Sequence, residues 1–197
     1  MEENVMEQKN VERKVNIVED LDGNRIVIIH DIHFKGKRSI EWNEVEEYLK
    51  QYVGKVYMIQ DTKDMVYIGK DLPDEYTHSN YTNILKGANV KAKANATQGL
   101  PEMLLIANEK EYEENRKEKH SKDAKYGWYS YTTRFALPVY GENNDIERYN
   151  VFRAIVLVRH AEDNKLYLYD IIKIKKETSN LFQSEDLTQS KTRFFLS

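Results

Sequence analysis

The segment YNVFRAIVLVRHAEDNKLYLYDI, residues 149–171, constrains the fold of this 197-residue chain more than any other stretch. Within residues 148–159 the run VFRAIVLV is almost wholly apolar, which is typical of a central strand that is covered on both faces. Residues 166–175 predict a second strand, and the polar sequence AEDNK before it predicts a turn. We therefore expect an antiparallel hairpin. The side chains expected to pack against a helix at 101–107 are Phe152, Ala154, Val156 and Val158.

The rest of the chain alternates between strand and helix patterns. Further strands are predicted at 26–32, 55–60, 65–70 and 127–139, and helices at 40–53, 81–96 and 101–118. This order predicts an α+β fold in which helices pack on one face of a mostly antiparallel β-sheet. The predicted limits are a flexible N-terminal lead-in at 1–22, a single α+β domain at 23–176, and a polar tail or linker at 177–197.

The composition excludes several kinds of site. The chain has no cysteine, so disulfides, thiolate metal sites and cysteine nucleophiles are excluded. Its formal net charge is −3, which argues against a broad electrostatic grip on nucleic acid but leaves room for a local basic site. No apolar run approaches the roughly 18–20 residues of a membrane span, and the first residues show no secretory signal. We expect a cytoplasmic protein without membrane contact, and delivery as part of a larger protein stays open.

Polar groups with potential chemistry cluster in the strand predicted at 127–139. Strand alternation puts Ser130, Thr132 and Arg134 on one face. The other, more apolar face carries Tyr129, Tyr131, Thr133, Phe135 and Leu137. Because arginine can direct two N–H groups at phosphate oxygens, the first face is a candidate anion site.

His120 is the candidate proton-transfer group, because an unperturbed imidazole titrates at a pKa of about 6.5. It lies ten residues before Ser130, in the charged run KEKHSKD. Such a run is usually a solvated helix end, and that alternative stays open.

Arg153 lies within the apolar central strand, where a charge is rarely buried without a partner. Two interpretations are equally favoured: an ion pair with an acid such as Asp170, or an anion-binding group that points into a cleft. Arg159 and His160, at the end of the same strand, are expected to be exposed.

Three lysines without an intervening acid mark the segment KGANVKAKANA, residues 86–96. Lys86 and Lys93 are two helical turns apart, so a helix here would place both cations on one face, and Lys91 adds a third. The alternatives are a substrate-binding face and, more often, a solvated helix face.

No metal or cofactor is predicted. His30 and His33 flank Asp31, but their positions in a strand point to opposite faces, so the two rings would diverge. No third ligand has a recognisable spacing, and the glycine motifs of nucleotide-binding folds and hydrolase elbows do not occur.

Four segments carry a resemblance to a known family: FKGKRSIEW (34–42), MVYIGKDLPDEYT (65–77), VKAKANATQGLPEMLLIA (90–107) and the hairpin segment at 149–171. In pattern and order the chain resembles the large polyvalent protein-associated domains of phages and conjugative elements. Those domains are grouped with the barnase–EndoU–colicin–RelE class of metal-independent RNases. The resemblance spans residues 30–178 and implies a barnase/RelE-like fold with a positive cleft on the open sheet face. The cleft residues it implies are Lys91, His120, Thr132, Arg134 and Arg153.

Two classes of function are expected. In the first, the protein is a metal-independent endoribonuclease-like effector: His120 takes the proton of the RNA 2′-hydroxyl, and Arg134 and Arg153 stabilise charge on the phosphate. Thr132 or a tyrosine donates to a phosphate oxygen. The groups expected to bind RNA are Lys86, Lys91, Lys93 and Tyr131. In the second, the chain is a non-catalytic interaction module of a mobile element that binds a host defence or immunity protein.

Overall fold

A long hairpin forms the centre of the sheet, as the sequence predicts. In the computed structural model, which describes residues 13–36 and 39–183, strands β7 (Ile146–His160) and β8 (Leu166–Gln183) pair antiparallel across the turn at 161–165. The four inner side chains expected from the sequence are all buried and share one hydrophobic core with Met103 and Leu104. The hairpin prediction is therefore confirmed.

Six further strands and five α-helices make up the rest of the described chain. The strands are β1 (Val15–Glu19), β2 (Arg25–Ile29), β3 (Val56–Met58), β4 (Met65–Tyr67), β5 (Asn108–Glu113) and β6 (Trp128–Tyr140). The helices are α1 (Trp42–Leu49), α2 (Leu72–His78), α3 (Asn80–Ile84), α4 (Ala88–Ala96) and α5 (Leu100–Ile106). Single 3₁₀ turns occupy Lys50–Tyr52, Thr97–Gly99 and Glu118–His120.

The fold is α+β with a mixed sheet. The strand order is β1-β2-β6-β7-β8-β4-β3, and β5 pairs with the first half of β6. The pairs β2–β6 and β4–β8 are parallel, whereas the hairpins and the β5–β6 pair are antiparallel. Parallel strands need a long connection between them. The chain between β2 and β6 and the chain between β4 and β8 both contain helices.

The predicted limits of the ordered domain are too narrow at both ends. β1 lies within the expected flexible lead-in, where it pairs along its whole length with β2, and Val18 is buried. β8 continues seven residues past the expected limit of 176 because Leu181–Gln183 still pair with β7. Residues 1–12 of the expected lead-in and 184–197 of the expected tail lie outside the described residues.

Two helix predictions are also wrong. The helix expected at 81–96 is divided into α3 and α4, because Leu85 is extended with a ψ of 145° and Gly87 adopts a positive φ of 60°. The helix expected at 101–118 ends at Ile106, and the following sequence NEKEYE forms β5. β5 is exposed at every position, so its hydrogen bonds to β6 hold it, not an apolar stripe.

Helices α2, α4 and α5 pack on one face of the sheet. Tyr131, Thr133 and Phe135 of β6 point to this face and are buried, and the Thr133 hydroxyl donates to the carbonyl of Met103. The opposite face has a small cluster of buried apolar residues near β1 and β2, formed by Val18, Ile26, Ile28, Ala136, Tyr149 and Val151. Over most of β6, β7 and β8 that face is therefore left open. None of the described helices is long and apolar enough to cross a membrane.

A buried ion pair joins the helical layer to the sheet. The Nζ of Lys93 in α4 lies 2.5 Å from Oδ1 of Asp170 in β8, and both side chains are almost wholly inaccessible. The ammonium also faces the rings of Tyr76 and Tyr81, at 4.5 and 4.9 Å from their centres. Burial lowers the pKa of Lys93 and raises that of Asp170, and the attraction between the two charges opposes both shifts. Each of the two charges is therefore stabilised in the core only while the other is present.

Replacing Lys93 with methionine should destabilise the fold, because it leaves the Asp170 carboxyl buried without its cation. We expect Lys93→Met to lower the free energy of unfolding by about 3–5 kcal/mol in a denaturant titration. Lys91→Met, in the same helix at a half-buried position, is the matched control and should change stability by about 0.5 kcal/mol or less. Equal stabilities for the two variants would contradict a structural role for the pair.

Candidate functional site

The open sheet face carries a polar cleft with a volume of about 560 Å³. Its floor is the middle of β6 and β7, and its walls are the β1–β2 turn, the start of β5 and the end of β8. It brings together three of the side chains expected from the sequence, Thr132, Arg134 and Arg153. They meet because Arg134 and Arg153 are paired across the β6–β7 ladder, and Thr132 is two residues from Arg134 on the same face.

Arg134 is held between two carboxylates. Its Nε and Nη2 donate to the two oxygens of Glu177 at 2.8 and 2.7 Å, and its Nη1 donates to Asp20 at 2.7 Å. Burial of Asp20 raises its pKa, but hydrogen bonds from Arg134 and the backbone outweigh this, so the pKa is lowered. The hydrogen bonds that Arg134 donates to Glu177 raise the pKa of Arg134 above its ordinary value. The Arg134 side chain is 13% exposed, and three of its five N–H donors, including the fork of Nε and Nη2, are already occupied.

Arg153 lies on the rim of the cleft, so neither sequence interpretation is fully right. Its side chain is 53% exposed, and Nη2 donates to Glu109 of β5 at 2.6 Å. The expected partner, Asp170, faces the helices and pairs with Lys93 instead. The apolar neighbours of Arg153 misled the prediction because alternate residues of β7 face opposite sides of the sheet.

The cleft has no net excess of positive charge. The cations that line it are Arg25, Arg134, Arg153 and Lys176, and the acids are Asp20, Asp22, Glu109 and Glu177. Four charges of each sign make the lining formally neutral, so the positive cleft implied by the resemblance is not found here. Thr132 is almost fully buried at the floor.

His120 does not line this cleft. It ends a 3₁₀ turn, its Nδ1 lies 2.9 Å from Oδ2 of Asp123, and its ring packs edge-on against Trp128 and Tyr169. Trp128 and Arg134 are six residues apart along β6, which corresponds to about 20 Å in an extended strand. The expectation that His120 and Arg134 act on one phosphate is therefore wrong for this structure.

Arg159 lies beside His120 and is buried, not exposed as expected. Its Nη1 donates to Glu75 at 2.7 Å and to Asp123 at 3.2 Å, and Nη2 is 3.8 Å from Asp71. Asp71, immediately before α2, and Glu75, within it, supply these acids, which the sequence of the strand gives no means of anticipating. Burial raises the pKa of Glu75 although Arg159 opposes the shift. Three acids therefore surround Arg159, and one of them, Asp123, also contacts His120.

The three lysines expected to bind substrate do not share a surface. Lys86 is exposed in the loop before α4, Lys91 is half-buried, and Lys93 is in the core. Tyr131 is also in the core, where its hydroxyl donates to Asp64 at 2.7 Å. Burial and this hydrogen bond raise its pKa far above the ordinary value. Neither Lys93 nor Tyr131 is accessible to RNA.

The histidines near the N-terminus are structural. His30 contacts the Tyr149 hydroxyl and Asn16, and His33 packs against Phe34 and Tyr48. Within the described residues, a different group has metal-ligand types at close spacing: Glu46, Asp74 and His78 have ligand atoms within 4.8 Å of one another. Asp74 and His78 are visible in the sequence as an i, i+4 pair, but Glu46 comes from α1. His78 and Asp74 form an exposed contact of 3.2 Å outside the cleft.

The ion pairs of the cleft should differ strongly in their effect on stability. Arg134→Met leaves two largely buried carboxylates without their donor, so we expect the free energy of unfolding to fall by about 2–3 kcal/mol. Arg153→Met removes only an exposed pair and should cost about 0.5 kcal/mol or less. Thermal and urea unfolding of the two variants will test this, and a larger loss for Arg153→Met would contradict the assignment.

The effect of Arg134 should depend on pH. The lowered pKa of Asp20 means that its ionised form stabilises the fold above the unfolded pKa of about 3.9, and this contribution is lost as pH falls through the folded value. The stability difference between wild type and Arg134→Met should therefore shrink as the pH is lowered from about 5 to about 3. A difference that stays constant over this range would argue against the Arg134–Asp20 pair.

Comparisons with known proteins assign no family. No family model matches the chain, and no curated protein matches it at a significant level. The geometry of the cleft is therefore what supports a function for this chain.

Proposed function

We propose that the protein is a non-catalytic interaction module that binds a partner protein through the polar cleft. The observation that carries this proposal is the clamp on Arg134, that is, the three hydrogen bonds that its guanidinium donates to Glu177 and Asp20. A phosphate that binds the fork of Nε and Nη2 would have to displace the bidentate Glu177 carboxylate, which is already bound at 2.7–2.8 Å. A protein surface that carries both signs of charge can instead complement the cleft without breaking this pair.

The metal-independent RNase has less support. Such an enzyme needs a proton-transfer group and free cations around one phosphate. No histidine lines the cleft within the described chain, and His120 lies outside it with its Nδ1 at 2.9 Å from Asp123. The RNase activity and the barnase/RelE-like form of the fold stay predictions.

The resemblance to domains of phages and conjugative elements suggests the class of partner. The resemblance implies that the partner is a host defence or immunity protein, and we propose that class of partner here. The formal net charge of −3 and the mixed lining of the cleft fit a protein partner better than a nucleic-acid backbone.

A position-specific crosslink tests the proposal directly. The chain has no cysteine, so a single substitution gives one attachment point for a photoactivated crosslinker. Thr178→Cys places the label at the cleft, and Glu142→Cys places it at an exposed turn outside the cleft. In extract of host cells we expect one discrete adduct from Thr178→Cys and none from Glu142→Cys. Excess unlabelled wild-type protein should suppress that adduct, and identical adducts at both positions would contradict a cleft-specific partner.

RNA cleavage is the outcome that would replace this proposal with the RNase. We expect wild type and His120→Ala, purified in parallel, to leave total RNA equally intact in the presence of a chelator. If wild type cleaves RNA and His120→Ala does not, the protein is a metal-independent RNase, and the proposal of a non-catalytic module is wrong. Cleavage by both proteins at the same rate would have two explanations, a contaminating RNase or an active site that does not use His120. Loss of cleavage in Arg134→Met would support the second explanation.

A further inference from the structure

A second pocket continues the open sheet face from the cleft towards Trp128. It has a volume of about 270 Å³ and a floor of three apolar side chains, Ile155, Leu157 and Ile172. These side chains are only partly buried, whereas Ala154 and Val156 on the helix-packed face of the same strand are wholly inaccessible. An apolar floor therefore lies next to a cleft that is otherwise polar.

The size of this pocket suits one aromatic side chain. An apolar cavity of about 150 Å³ is enough to hold a benzene ring. A pocket of 270 Å³ therefore has room for a phenyl, phenol or indole group but not for a folded element. Trp128 is also among the residues that line the pocket, and aromatic pairs prefer offset or edge-on contacts.

The rim of the pocket is acidic on the β5 side. Glu111 and Glu113 are both exposed, and neither forms an ion pair with any residue of 13–36 or 39–183. The neighbouring Lys110 does not neutralise them, because its Nζ lies 2.8 Å from Asp64, against the rings of Tyr129 and Tyr131. Lys173 places one cation on the β8 side. Two unpaired carboxylates thus lie beside an unfilled apolar floor.

We propose that this pocket receives one aromatic side chain of the partner polypeptide, and that basic residues on either side of that aromatic pair with Glu111 and Glu113. The proposal rests on the proposed function and names the chemistry of the partner. The apolar floor gives up its contact with water when the ring enters. The two carboxylates select cationic neighbours and reject acidic ones.

Short synthetic peptides test the pocket without knowledge of the natural partner. The probe is acetyl-Gly-Arg-Trp-Arg-Gly-amide, and the controls are Gly-Glu-Trp-Glu-Gly and Gly-Arg-Ala-Arg-Gly with the same end groups. Binding to the full-length chain is followed by ¹H–¹⁵N correlation spectra at low ionic strength, where exposed pairs are least screened. We expect saturable shifts of Trp128, Leu157 and Ile172 with the first peptide and only weak shifts with either control.

Charge reversal separates this pocket from general attraction of basic peptides. The double variant Glu111→Lys with Glu113→Lys turns two attractive contacts into repulsive ones. It should lower the affinity for the Arg-Trp-Arg peptide about tenfold. The same double variant should bind the Glu-Trp-Glu peptide more tightly than wild type does. Glu142→Lys with Asp145→Lys makes the same change in net charge at the β6–β7 turn and should leave both affinities within about twofold.

Three results would overturn the proposal. They are no saturable shift at Leu157 and Ile172, equal binding of the alanine peptide, and equal weakening by the two double variants. None of them bears on RNA cleavage or on the cleft crosslink. A failure here with a positive crosslink at Thr178→Cys would leave the interaction module in place and reject only the aromatic pocket.

Discussion

The two-residue periodicity of β6 and β7 decides what the rest of the molecule can do. One set of alternate side chains, with Tyr131 and Phe135, closes the core under the helices. The other set, with Arg134 and Arg153, forms the open cleft. A shift of one residue in this register would bury two guanidinium groups and expose the core, so the pairing is fixed strongly by the energetic difference between the faces. Core and cleft are therefore consequences of the same ladder.

The two faces also treat charge differently. On the helix side, Lys93 and Asp170 are sealed from water; the ammonium faces two tyrosine rings, and the carboxylate also accepts from the backbone N–H of Ile171. On the open side, Arg153 and Glu109 remain more than half exposed, so water screens their attraction. Arg134 is intermediate, with a small exposed fraction and three short bonds. The buried pairs therefore contribute to the stability of the fold, whereas the rim charges remain accessible from solvent.

Sequence patterns predicted the features that depend on near neighbours. Strand alternation separated Thr132 and Arg134 from Tyr131 and Phe135, and the apolar run with its polar turn predicted the β7–β8 hairpin. Features that depend on distant partners were missed. Lys93 looked like a surface lysine because its acid lies 77 residues away. The sequence predicts an exposed Arg159 because its partner Glu75, in helix α2, is 84 residues away. β5 has no apolar alternation and exists through its pairing with β6, which no local window contains.

The clamp on Arg134 also has a consequence for the order in which the chain folds. Its two acids are separated from Arg134 by 114 residues on one side and 43 on the other, so it closes only after three remote segments have met. β2 joins β6 through the short parallel register at Val27 and Ile28, and Asp20 adds a charged contact from the turn between β1 and β2. Contacts of such long sequence separation carry the largest loop-closure cost and tend to form late. We expect the N-terminal hairpin to dock after the β6–β7–β8 sheet has assembled, with a φ-value near zero for Asp20→Asn. A φ-value close to one would instead place this hairpin in the folding nucleus.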